Sequence, residues 1–319
     1  MADSSSVLHR VLHGVHDDRV RATWRILSAV LLTFVGGFGG LFLIQQLGVD
    51  VPDWAVLPTV QLFAVIGVLL SLVVLVRYLD RREPSDYGFD LSVQWGIDAF
   101  AGVLCGVGLS GLGFAFAYQQ GTVRIVDVMS AGTADSLILA IGVVLVGWVL
   151  VGFWEETLFR GIFLKNAAEG LAAQRLSPKA AVFGAWLSSS LIFGVFHGPF
   201  GSNPGPHSLV YTLLMTGVLG GLYGWAYLLT EELAFPIGLH MGNNLAGANL
   251  FFGTPDSAVP TLIQVEHSVS GGPVQLQSLD PYLTIPIFIC GYLLITGYFY
   301  LRHGSTRIRF SIASYESTS

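Results

Sequence analysis

Six polar residues sit inside long apolar stretches of this chain at spacings that could do chemistry. Glu155, Glu156 and Arg160 lie in Trp154-Glu155-Glu156-Thr157-Leu158-Phe159-Arg160, and His197 ends Phe193-Gly194-Val195-Phe196-His197. His240 and Asn244 lie in His240-Met241-Gly242-Asn243-Asn244. An ionisable side chain at the centre of a bilayer costs about 2.5–3.5 kcal/mol on insertion scales, so such residues are functional candidates by default. Glu156 and Arg160 are four residues apart and share a helix face, where carboxylate and guanidinium can pair. Glu155 is turned about 100° from Glu156 and can face another neighbour. His240 and Asn244, also four apart, can point into one cavity. Glu155, His197 and His240 therefore supply a carboxylate and two imidazoles from three helices, the groups needed for general-base activation of water or for holding a metal ion.

The elements that must position these residues are membrane helices. The 319 residues are 53% hydrophobic and 11% charged, against about 45–50% and about 25% in soluble domains. Several apolar blocks exceed the roughly 18–20 residues that cross a hydrocarbon core. The sequence predicts an all-α polytopic bundle of about eight transmembrane helices, near 26–47, 55–76, 97–118, 136–165, 179–197, 208–229, 234–253 and 281–302. One eight-helix transmembrane domain spans 26–303, with its motif core at about 140–250. It is flanked by an amphipathic N-terminal segment at 1–25, which reads as a surface helix with Val7, Leu8, Val11, Leu12 and Val15 on one side, and by a tail at 304–319. The first 25 residues lack the short apolar core of a secretory signal peptide. Lys and Arg gather in the N-terminal tail, in the connections after the second and fourth spans and in the C-terminal tail. That distribution predicts both termini in the cytoplasm of a plasma-membrane protein. The net charge of −6 has no basic run, so no nucleic-acid partner is expected. Cys105 and Cys290 lie in apolar segments and predict no disulfide.

The ordered motifs Glu155-Glu156…Arg160, Phe193…His197 and His240…Asn244 resemble the EExxxR, FxxxH and HxxxN pattern of the CAAX prenyl protease and bacteriocin-processing family, also called the Abi or type II CAAX protease family. The resemblance implies an intramembrane endopeptidase of eight helices acting on a membrane-associated or lipidated substrate within the lipid bilayer. It implies that Glu155 and His197 activate water, that His240 and Asn244 stabilise the oxyanion, and that Glu156, Arg160 and Phe193 support the site. No cofactor is expected, because the HExxH helix of zinc proteases is absent; zinc or another divalent ion on Glu155, His197 and His240 is the alternative.

Two other readings compete. A transporter or scaffold could use the buried Glu and His residues as a proton relay, although no internal repeat is evident. Gly108-Leu109-Ser110-Gly111 spells the GxSG of rhomboid serine proteases with His240 as a base, yet Gly102, Gly106, Gly108, Gly111 and Gly113 more simply predict close helix packing. A common site also poses a problem of depth, since simple helix lengths place His197 near the outer end of the fifth span and His240 near the inner end of the seventh. The reading therefore requires Asn166–Gln174 to prolong the fourth helix, the fifth to start late, and Gly198–Pro206 to dip into the protein.

Overall fold

The computed structural model describes residues 9, 11–14, 19–197, 208–255, 257–267, 276 and 279–314. Val7, Leu8 and Val15 of the N-terminal segment and the Gly198–Pro206 dip lie outside them. Eight helices run through the described residues. They are α1 (Ala22–Gln46), α2 (Asp53–Leu79), α3 (Val93–Gln119), α4 (Leu137–Ala173), α5 (Pro178–Phe196), α6 (Leu209–Thr230), α7 (Ala234–Leu245, continued by a π turn at Ala246–Leu250) and α8 (Pro281–His303). Seven are long and apolar enough to cross a membrane, α7 being too short by that measure. The chain is an integral, multi-pass, all-α membrane protein.

Side-chain oxygens start four of these helices. Ser92, Ser136, Ser177 and Ser208 accept the backbone N–H three residues on at the heads of α3, α4, α5 and α6, satisfying donors that lipid would leave bare. Gly304, at φ +68, closes α8 in the left-handed conformation that glycine adopts without penalty.

Glycine also sets the closest helix contact. A Cβ on Gly102 or Gly106 of α3 would strike the backbone of Phe235–Asn243, and one on Gly238 or Gly242 of α7 would strike the backbone of Ala99–Val103. Two G-x-x-x-G faces thus interlock and let the backbones touch. The contacts advance together along both helices, so α3 and α7 run parallel. Each leads to one strand of a two-stranded antiparallel ribbon, β1 (Val123–Ser130) after α3 and β2 (Thr261–His267) after α7. Short α7 thereby runs alongside α3 toward the same end of the bundle. Of the glycines expected to pack, Gly108 instead faces open space.

A charged cluster closes the end of the bundle where α2 and the α4 extension meet. Arg19, Arg25 and Arg82 surround Asp80 and Glu169, all of them less than 10% exposed. Tyr87 donates its hydroxyl to Asp80 at 2.7 Å. Burial alone would raise the Asp80 carboxyl, but Arg82, Arg25, the Tyr87 hydroxyl and Arg19 outweigh it and hold the group below its ordinary value of 3.8. This cluster ties the N-terminal segment and the α2–α3 connection to α4, the helix that carries both glutamates.

Candidate active site

Glu155 and Glu156 end the α-helical part of α4, and the next eight residues, Thr157–Leu164, form a π-helical stretch before regular helix resumes at Lys165. π segments inside α-helices rotate the residues that follow and recur at functional sites. Ser189 of α5 donates to the carbonyl of Phe159 in this stretch at 2.9 Å. Arg160, fully buried, places Nη1 3.0 Å from Glu156 Oε1 and donates from Nη2 to the Gly220 carbonyl of α6 at 2.5 Å. Its guanidinium lies 4.5 Å from the ring centre of Phe193 and 5.4 Å from that of Tyr223. Gly220 is required here, because a Cβ would come 2.7 Å from the Phe193 ring.

The two imidazoles are oriented by their Nδ1 atoms. His197 Nδ1 is 2.8 Å from the Phe193 carbonyl, and His240 Nδ1 is 2.7 Å from Glu156 Oε1. A carbonyl or carboxylate oxygen only accepts, so both Nδ1 atoms carry their protons. Each ring then turns Nε2 toward Glu155 Oε2, at 3.7 Å for His197 and 3.9 Å for His240. Tyr223 stacks on His240 with ring centres 4.7 Å apart and planes at 17°, which fixes the ring from its face.

The depth problem resolves through α4. Lys165 Nζ lies 3.5 Å from Glu231 Oε1, which puts the α6–α7 turn level with Lys165. The helix continues eight residues beyond, to Ala173, about 12 Å. From there α5 begins directly at Pro178, rather than late, and climbs 19 residues back to His197, about 28 Å. His240 is only six residues into α7, about 9 Å. The expected prolongation of α4 thus lowers the start of α5 and leaves the two histidines only about 7 Å apart in depth, with Glu155 within reach of both.

Glu155 and His197 open onto a cavity of about 270 Å³ between α1, α2, α4 and α5. Its remaining wall is mainly apolar, with Phe34, Phe38 and Phe196, and its polar exceptions are Thr33, Gln61 and Trp154. His240 and Asn244 do not line it. Asn244 is half-buried one turn beyond His240, and its side chain bonds to none of the described residues. The neighbouring Asn243 is engaged instead, accepting from Ser110 Oγ at 3.1 Å. Ser110 is fully buried with its hydroxyl bonded to Asn243 rather than to His240.

Phe193 is explained by its contacts within the site, being the face on which Arg160 lies and the ring beside both His197 and His240. Sequence reasoning missed Tyr223, Gly220, Gln61 and Trp154. Of these Gln61 left a signal, a lone amide in the apolar middle of α2. The donor set of Glu155, His197 and His240 suits a divalent ion in chemistry, its Nδ1 atoms being held as metal-bound imidazoles require. Among the described residues, however, no three His, Cys, Asp or Glu side chains are gathered to hold one.

Neither a curated protein nor a solved structure matches the chain. Residues 137–246 match the family model described as type II CAAX prenyl endopeptidase Rce1-like. That stretch runs from the start of α4 into α7 and contains all six polar residues of the motifs. The family supports a CAAX-type membrane protease, and the chain carries an Rce1-like type II CAAX prenyl endopeptidase domain at residues 137–246.

Proposed function

We propose that the protein is an intramembrane endopeptidase that hydrolyses a peptide bond of a membrane-tethered substrate with a water held at Glu155. The observation that supports this most is the convergence of two Nε2 atoms on Glu155 Oε2, with both Nδ1 protons committed elsewhere. Three acceptor atoms facing one another need protons between them, and a water supplies them. The charges agree. Glu155, Glu156 and Arg160 together carry one net negative charge, and a buried site in lipid favours neutrality. One further proton shared among Glu155, His197 and His240 provides it.

Glu155, assisted by His197, takes a proton from water as its oxygen attacks the substrate carbonyl carbon. His240, carrying the shared proton on Nε2 and braced by Glu156 on Nδ1, donates to the oxyanion, with the Asn244 amide beside it. Glu155 returns its proton to the departing amine as the C–N bond breaks, and the second proton of the water stays on the new hydroxyl, leaving a carboxylic acid and an amine. Glu156 and Arg160 hold the geometry. No step needs a metal, so the protease is of the glutamate type. Access from the cytoplasmic side of the plasma membrane, with both termini there, follows from the Lys and Arg distribution and suits a prenylated or otherwise lipidated peptide.

The test is cleavage of a quenched peptide bearing a farnesylated cysteine three residues from its C-terminus, by the purified chain in lipid nanodiscs. Cleavage is expected from the wild type and is lost in Glu155→Gln and His197→Ala. Inactive wild type, together with ion-driven uptake into vesicles that depends on Glu155, would replace this reading with a transporter.

A further inference from the structure

Gln61 shares the cavity with Glu155 and His197, and its amide orientation is fixed. Trp154, the residue before Glu155, brings its indole Nε1 to 2.7 Å from Gln61 Oε1. An indole N–H only donates, so the oxygen faces Trp154 and the Nε2 amino group is turned away from it. That group bonds to none of the described residues. The other donors on the cavity wall are occupied. The Trp154 N–H is held by Gln61, the Thr33 hydroxyl by the Ala29 carbonyl at 2.8 Å, and His197 Nδ1 by the Phe193 carbonyl. Gln61 is left as the hydrogen-bond donor of a cavity whose other wall carries the base.

We infer that Gln61 donates from Nε2 to the carbonyl oxygen of the scissile peptide and strengthens that bond as the oxygen becomes an oxyanion, with Trp154 as its positioning residue. The inference rests on the proteolytic reading above and adds a donor from α2, outside the stretch that carries the family motifs. It adds to the His240 donor a second one on the wall of the cavity itself, which His240 does not line. A peptide carbonyl entering an apolar cavity loses its water partners, and an amide on the cavity wall whose Nε2 has no other partner among the described residues can replace them.

The experiment measures kcat and KM for the farnesylated quenched peptide with the full chain in nanodiscs, comparing wild type, Gln61→Met, Gln61→Glu, Trp154→Phe and Gln61→Met/Trp154→Phe. Gln61→Met keeps the length but removes the donor, and Gln61→Glu keeps the acceptor for Trp154. Each Gln61 variant is expected to lose about 10²-fold in kcat with KM changed less than about threefold. Trp154→Phe is expected to lose about tenfold, and the double variant to be no slower than Gln61→Met, since Trp154 acts through Gln61. Wild-type cleavage with a kcat unchanged in Gln61→Met, a loss confined to KM, or an additive double variant would overturn the inference alone. No cleavage by wild type would remove the proteolytic reading and this role with it.

Discussion

Glu155 and Glu156 are adjacent in the chain and meet the same imidazole, yet only Glu155 reaches the cavity. Glu156 Oε1 accepts from both Arg160 and His240, so it is the joint between α4 and α7. Removing its charge leaves the Arg160 guanidinium buried without its carboxylate, which costs about 3–5 kcal/mol. Glu156→Gln should therefore lower the melting temperature in detergent markedly, whereas Glu155→Gln should leave it within a few degrees while abolishing cleavage. Arg160→Lys should behave like Glu156→Gln, because one ammonium cannot serve Glu156 and the Gly220 carbonyl and also lie flat on Phe193. The Glu156–Arg160 pair was legible from i, i+4 spacing. The His240–Glu156 bond was not, because it depends on how α7 is rotated against α4, which no local period encodes. Gln61 was passed over because one amide in an apolar helix looks tolerable until its Trp154 partner is known.

Elements make these contacts possible by their lengths and small residues. The interlocked G-x-x-x-G faces of α3 and α7 leave no room for a side chain, so Gly242→Val should cost more than the roughly 1–3 kcal/mol of ordinary overpacking and release folded protein poorly. Gly108→Ala, on the same glycine-rich helix but facing open space, should be tolerated with an unchanged melting temperature. Helix positions were legible because lipid demands long apolar runs. Most of the expected bounds fall within a few residues of the observed ones, the end of α4 differing most, since α4 continues to Ala173. The π stretches after Glu156 and after Leu245 were not legible, since no residue type or local period marks them. Nor was the ribbon, whose partners Val123 and His267 are far apart in sequence and alternate too weakly to announce strands.

Across the whole molecule, the buried cluster of Arg19, Arg25, Arg82, Asp80 and Glu169 anchors the N-terminal segment to the far end of α4, the helix that carries Glu155 and Glu156. Asp80 is depressed below its ordinary 3.8, so its contribution is complete above about pH 4 and is lost only as the pH falls through the still lower folded value. Thermal stability should thus show no loss from this group between pH 8 and 5 and a loss below pH 4, and Asp80→Asn should remove the acid-side loss while lowering stability at neutral pH. The central claim, that Glu155 and His197 act as one water-activating unit, is tested most directly by kcat of Glu155→Gln, His197→Ala and the double variant on one membrane-anchored peptide. Groups acting as a unit are strongly non-additive. The account predicts losses of about 10²–10⁴-fold in each single variant and a double variant within about threefold of the slower single. Independent, multiplying losses, or a Glu155→Gln protein that still cleaves at the wild-type rate, would contradict it.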